Sequence, residues 1–115
     1  MITIYHNPRC RKSREALQLL EASGTPFTVV DYQKEPLSPE ALKSILEKLG
    51  MPAEALVRKN EALWKERYKG KTLTEGELIG LMVAHPRLME RPILVRGEQA
   101  VLGRPPERVM ELIQN

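Results

Sequence analysis

At 115 residues and a formal charge of +3, the chain is long enough to bury one core without disulfides or a structural metal. Its acidic residues are spread throughout, which excludes a nucleic-acid coat and leaves a small anion as the expected partner. One cysteine excludes an internal disulfide and fits a reducing, cytoplasmic setting, and with only two histidines beside it no zinc site can be assembled. The longest apolar run, Leu78 to Ala84, contains Gly80, so neither a membrane span nor a signal peptide is expected.

In chain order, Ile2 to Tyr5 alternates β-branched and aromatic residues as a short strand does, and Pro8 stops it. A helix is predicted from about Arg11 to Ser23, with Ala16, Leu17 and Leu20 on one face and Gly24 as its stop. Phe27 to Tyr32 reads as a second strand. Strand, helix and strand over this length make a βαβ unit with two parallel strands. Ser38 caps the next helix, with Pro39 at its first position, Leu42, Ile45, Leu46 and Leu49 at helical spacing, and Gly50 at its end. Asn60 is the expected cap of a shorter helix from Glu61 to Tyr68, whose Trp64 and Tyr68 read as packing residues rather than a cofactor box. Thr74 and Glu77 form a capping box for a helix to about Ala84. These helices make an insert over about 38–85. Ile93 to Val95 and Ala100 to Leu102 flank Arg96-Gly97-Glu98 and predict an antiparallel hairpin. Arg104-Pro105-Pro106 then opens a final helix with Val109, Leu112 and Ile113 inward. The fold class is α/β, a single thioredoxin/glutaredoxin-like domain of order β-α-β, helical insert, β-β-α, and a monomer is expected.

Cys10 falls at the junction of the first strand and first helix. Free N–H groups and the positive end of the helix dipole lie there, and Arg9, Arg11, Lys12 and Arg14 surround it in the sequence. Such a thiol loses its proton below the free value of about 8.5, and the thiolate is the nucleophile. A lone cysteine is more often a small buried hydrophobe, but cationic neighbours line a dry core only at high cost. In this fold the loop after the first strand faces the turn into the third strand. Arg91-Pro92 occupies that turn, and an X-Pro bond is the one kind for which cis is cheap.

The segments Ile2-Thr3-Ile4-Tyr5-His6-Asn7-Pro8-Arg9-Cys10, Ser13-Arg14, Leu56-Val57-Arg58-Lys59-Asn60, His85-Pro86, Arg91-Pro92-Ile93 and Gly103-Arg104-Pro105 resemble the glutaredoxin-coupled arsenate reductases, in order and in spacing, over nearly the whole chain. The resemblance implies that Cys10 is the nucleophile and that Arg58, Arg91 and Arg104 bind the oxyanion. It implies further that His6 and Ser13 assist the thiolate, with Asn7, Arg14 and Pro92 in support. No bound cofactor is implied; glutathione is the co-substrate and glutaredoxin the protein partner. Arsenate is tetrahedral and anionic near neutral pH, so several guanidinium forks suit it.

Many members have small residues directly after the cysteine, where this chain has Arg11 and Lys12. The added cations strengthen anion binding, or fit a different anion or an acidic protein partner. Two further readings stand beside the reductase. Redox-responsive regulators that bind RNA polymerase are similar around the cysteine but usually carry C-x-x-C; position 13 is Ser13, so no internal disulfide switch can form. A cysteine phosphatase needs C-x5-R, and position 16 is Ala16.

Overall fold

In the computed structural model, which describes residues 1–113, β1 (Ile2–His6) buries Ile2, Ile4 and His6 and leaves Thr3 and Tyr5 half-buried. That two-residue alternation sets one face of the strand on a core. β2 (Phe27–Asp31) pairs with it in parallel, from Ile2 opposite Phe27 to His6 opposite Asp31. The crossover between them is α1 (Arg11–Ser23), which begins at an extended Cys10 and stops at Gly24, where φ is 72°. Glycine reaches that left-handed conformation without the strain a side chain would add.

β3 (Ile93–Arg96) runs antiparallel to both β1 and β4 (Gln99–Leu102), giving the sheet order β2-β1-β3-β4. Arg96 pairs with Gln99, so the hairpin turn is the two residues Gly97-Glu98 rather than the three expected. The predicted final helix is divided into a 3-10 turn, Pro106–Val109, and α6 (Met110–Ile113). Pro105 is held extended by Pro106, and neither proline has an N–H to donate, so an α-helix cannot start at Arg104. Ile2 and Ile4 of β1, Ala16 and Leu20 of α1, Leu94, Val101, Val109 and Leu112 form one buried cluster. These elements belong to a compact unit of Met1–Glu35 with the described part of Arg91–Asn115.

A second compact unit covers Pro36–Glu90. α2 (Pro39–Leu49) starts where Ser38 Oγ accepts from the Ala41 N–H at 3.1 Å, and α5 (Glu75–Ala84) starts at Thr74 with both bonds of the capping box made. α2 and the short α3 (Ala53–Leu56) both pack on α5. No periodicity predicts α3, because four residues are too few to show one; its Ala53 N–H donates to both carboxylate oxygens of Glu75, at 3.1 and 3.0 Å. α4 (Ala62–Arg67) starts one residue later than expected, with Glu61 instead of Asn60 at its cap. The Glu61 N–H is bound to the Arg58 carbonyl at 3.1 Å, and that turn occupies the position where the helix would otherwise begin. Trp64 is buried, and its ring lies 5.9 Å from that of Tyr68, a packing contact.

The same unit holds a pairing that local patterns do not foretell. Val57 forms an antiparallel bridge with Met89, flanked by Arg58 N–H to Leu88 O at 2.7 Å and Glu90 N–H to Leu56 O at 2.8 Å. Among the described residues no helix is long and apolar enough to cross a membrane.

Candidate active site

The loop between β1 and α1 is closed almost entirely by its own residues. The Cys10 N–H donates to the Asn7 carbonyl at 3.0 Å, a four-residue turn with Pro8 at its second position, where a fixed φ is favoured. Asn7 Oδ1 accepts from the Arg9 N–H at 3.0 Å, and Arg14 Nη1 donates to the Pro8 carbonyl at 3.0 Å. Ser13 Oγ accepts from the Asn7 N–H at 3.0 Å and lies 2.7 Å from His6 Nδ1. His6, Asn7 and Ser13 are buried polar residues, and buried polar groups persist where they are hydrogen-bonded.

This network assigns His6 and Ser13 side-chain contacts that the sequence did not suggest. The Ser13 hydroxyl ties the start of α1 to the end of β1, and what Ser13 offers the sulfur is its backbone N–H. Burial, with some help from Arg14, lowers the His6 pKa against the opposing pull of Asp31, its partner in the β1–β2 register. The imidazole is therefore biased to the neutral form, and its contact with the Ser13 hydroxyl needs only one proton.

Cys10 is half-buried and its thiol titrates below the ordinary value. Burial, the largest single influence, pushes the pKa up, but a hydrogen bond from Arg91, the N–H groups of Ser13 and Lys12 and the Arg91 charge together outweigh it. The thiolate form is thus favoured at the N-terminus of α1, whose first turn has no acidic residue, by the helix N–H groups and one guanidinium. That guanidinium comes from the far end of the chain. Arg9, Arg11, Lys12 and Arg14 are all exposed, and Arg11 pairs with Glu15 at 3.1 Å.

The arginine side of the site is assembled by the β3–β4 hairpin. The Arg91–Pro92 peptide is cis as expected, and so is Arg104–Pro105, which the sequence did not single out. The Gly103 N–H donates to the Pro92 carbonyl at 2.8 Å, and a Cβ at Gly103 would lie 2.9 Å from Pro92 Cγ and 3.2 Å from Leu94 Cδ1. Only glycine lets the two segments approach so closely. Arg104 Nη1 then donates to the Arg91 carbonyl at 3.1 Å, so Arg104 is hung on the residue that holds the sulfur.

Arg58 belongs to the Pro36–Glu90 unit and is described there. Its guanidinium has two carboxylate neighbours, Glu61 at 3.8 Å and Glu90 at 3.9 Å, and its side chain is 16% exposed. Sequence reasoning passed over both glutamates, although Arg58-x-x-Glu61 and Glu90-Arg91 place an acid beside each of two expected anion ligands. Among the described residues no group of three His, Cys, Asp or Glu side chains could hold a metal ion.

A thiolate paired with a guanidinium, with a second arginine fixed to the same peptide, is suited to nucleophilic attack on the centre of an oxyanion. Known proteins carry similar chains. The uncharacterized protein YfgD of Escherichia coli K12 is 46% identical over 114 residues, covering 97% of this chain and 96% of its own. An arsenate reductase of Haemophilus influenzae is 39% identical, covering 97% and 98%. The solved structure of an arsenate reductase from Vibrio cholerae superposes with a TM-score of 0.91 at 45% identity, over 96% of this chain and 95% of that one. The ArsC family model matches residues 5–112: the chain, with its thioredoxin-like fold, belongs to the ArsC family.

Proposed function

We propose that this protein reduces arsenate to arsenite in the cytoplasm, with Cys10 as nucleophile, glutathione as co-substrate and glutaredoxin as the partner that restores the thiol. The observation that carries this reading is the Cys10 sulfur, whose pKa is lowered by Arg91 and the N–H groups of Ser13 and Lys12 against the opposing effect of burial. Arg58, Arg91 and Arg104 bind the arsenate oxygens by charge-assisted hydrogen bonds. Asn7, Arg14 and Pro92 hold the loop and the arginines in place.

The electron count fixes the rest of the cycle. The Cys10 thiolate attacks arsenic and displaces hydroxide, giving a sulfur-arsenic(V) adduct. A glutathione thiolate then attacks the Cys10 sulfur. The new S–S bond forms as the S–As bond breaks, and its electron pair stays on arsenic, which leaves as arsenite. Two electrons have moved and Cys10 carries one glutathione. The chain has no second cysteine to resolve that disulfide, so an external thiol must do so. Purified protein with arsenate alone should give no turnover, glutathione with glutaredoxin should restore it, and Cys10→Ser should abolish it in both cases. Mass spectrometry without glutaredoxin should find one glutathione on Cys10. Sustained arsenite production without added thiol, or full activity in Cys10→Ser, would overturn the mechanism.

A further inference from the structure

Arg58 sits between two carboxylates that do not neutralise it by hydrogen bonding. Glu61 Oε2 lies 3.8 Å from Nη1 and Glu90 Oε2 lies 3.9 Å from Nε, beyond the roughly 2.7–2.9 Å of a charge-assisted hydrogen bond. All three residues are anchored by main chain. Arg58 N–H binds Leu88 O at 2.7 Å, Glu90 N–H binds Leu56 O at 2.8 Å and Glu61 N–H binds Arg58 O at 3.1 Å, around the Val57–Met89 bridge. None of the three side chains is more than 29% exposed, so solvent screens their charges only in part.

An anion that docks on this guanidinium must therefore approach two negative charges. A fully deprotonated oxyanion is drawn by the guanidinium but gains no hydrogen bond from the carboxylates to offset their repulsion. One that keeps a hydroxyl can turn it to a carboxylate oxygen, which accepts the hydrogen bond, while its other oxygens take the guanidinium N–H groups. Arsenate and phosphate keep at least one such hydroxyl near neutral pH, whereas sulfate has none. A site that rewards one ligand's hydrogen and penalises its absence separates near-isosteric anions well, because the unmatched polar group is left facing like charge. The geometry points to Glu61 and Glu90 as specificity-determining residues that admit protonated tetrahedral oxyanions at Arg58 and reject sulfate. This rests on the reading of Arg58 as an oxyanion ligand.

The test is calorimetric titration of the reduced full chain, at neutral pH, with inorganic phosphate, arsenate and sulfate. The unaltered protein should bind phosphate and arsenate at least tenfold more tightly than sulfate. In Glu61→Gln with Glu90→Gln, sulfate affinity should rise tenfold or more while phosphate changes less than about threefold, since glutamine removes the charge and keeps an accepting oxygen. If circular dichroism shows the double variant unfolded, each single variant should show the same shift in ratio at smaller size. No preference in the unaltered protein, a parallel gain for all three anions, or sulfate still weak in folded variants would overturn the inference. Arg58→Ala separates the two readings. If it weakens all three anions while the glutamine variants leave their ratio intact, only this inference fails; if arsenate binding and kinetics ignore Arg58→Ala, the assignment of Arg58 as a ligand fails too.

Discussion

The loop that carries Cys10 and the segment that carries Arg91 and Arg104 are built on opposite plans. From His6 to Arg14 the loop is closed by short-range hydrogen bonds: Asn7 to Cys10 and Arg9, Ser13 to Asn7 and His6, Arg14 to Pro8. Arg91 and Arg104 meet only because the β3–β4 hairpin folds back and Gly103 lies against the Pro92 ring. A loop of the first kind is set by residues near one another in the chain. An arginine pair of the second kind exists only when the sheet register is right. The thiolate depends on both, since Ser13 and Lys12 supply it with local N–H groups and Arg91 supplies a distant charge.

Ser13→Ala breaks the local half and should have the largest effect. It leaves the buried Asn7 N–H without its acceptor, a loss of about 1–3 kcal/mol of stability. Urea unfolding of reduced protein measures it, and an unchanged midpoint would mean that the hydroxyl does not brace the loop. Arg91→Lys strikes the distant half: it keeps a charge but loses the fork, and should lower kcat/KM for arsenate at least tenfold, about 1.4 kcal/mol. Because Arg91 helps hold the Cys10 pKa down, the pH profile of iodoacetamide alkylation should also move upward, towards that of an ordinary thiol. Wild-type kinetics with a wild-type profile would remove Arg91 from the site. Gly103→Ala sharpens the contrast with the smallest change. Its Cβ would push on Pro92 and Leu94 and disturb Arg104 and, through Pro92, Arg91, costing about threefold in kcat/KM and moving the alkylation profile upward by less than Arg91→Lys does. A profile that stays put with Gly103→Ala would show that Arg91 keeps its place without this close approach.

The same division explains what could be read from the sequence. Ser38, the Thr74-Glu77 box, the burial of Ile2 and Ile4 and the turn at Gly97 all follow from residues within a few positions of one another, and the parallel pairing of β1 with β2 follows from one strand-helix-strand unit. Of the two causes the sequence offers for the activation of Cys10, the helix N-terminus acts through the Ser13 and Lys12 N–H groups, but the neighbouring cations are not the charge that reaches the sulfur. The four neighbouring cations are exposed, and the guanidinium that reaches the sulfur is Arg91, visible only once β3 lies beside β1. Ser13 aids the sulfur through its backbone N–H, while its hydroxyl faces His6 and the Asn7 N–H, because the first turn of α1 points that side chain inward. Gly103 stood in a recognised motif without a physical reason until its approach to Pro92 was seen. Glu61 and Glu90 stand near Arg58 and Arg91 in the sequence, but the signal is weak, since an isolated acid in a loop usually faces water.

The Val57–Met89 bridge also gives Arg58 a lifetime of its own. The bridge closes α4 and α5 into one long loop, and the entropy of that closure must be offset by the helices inside it. Arg58 therefore keeps its backbone bond to Leu88 only while those helices are formed. The Cys10 turn needs nothing from them to close its own hydrogen bonds. In the native ensemble the ribbon and the turn can open as separate events, with separate free energies. Amide exchange at Arg58 and Glu90 would report the first and exchange at Cys10 the second.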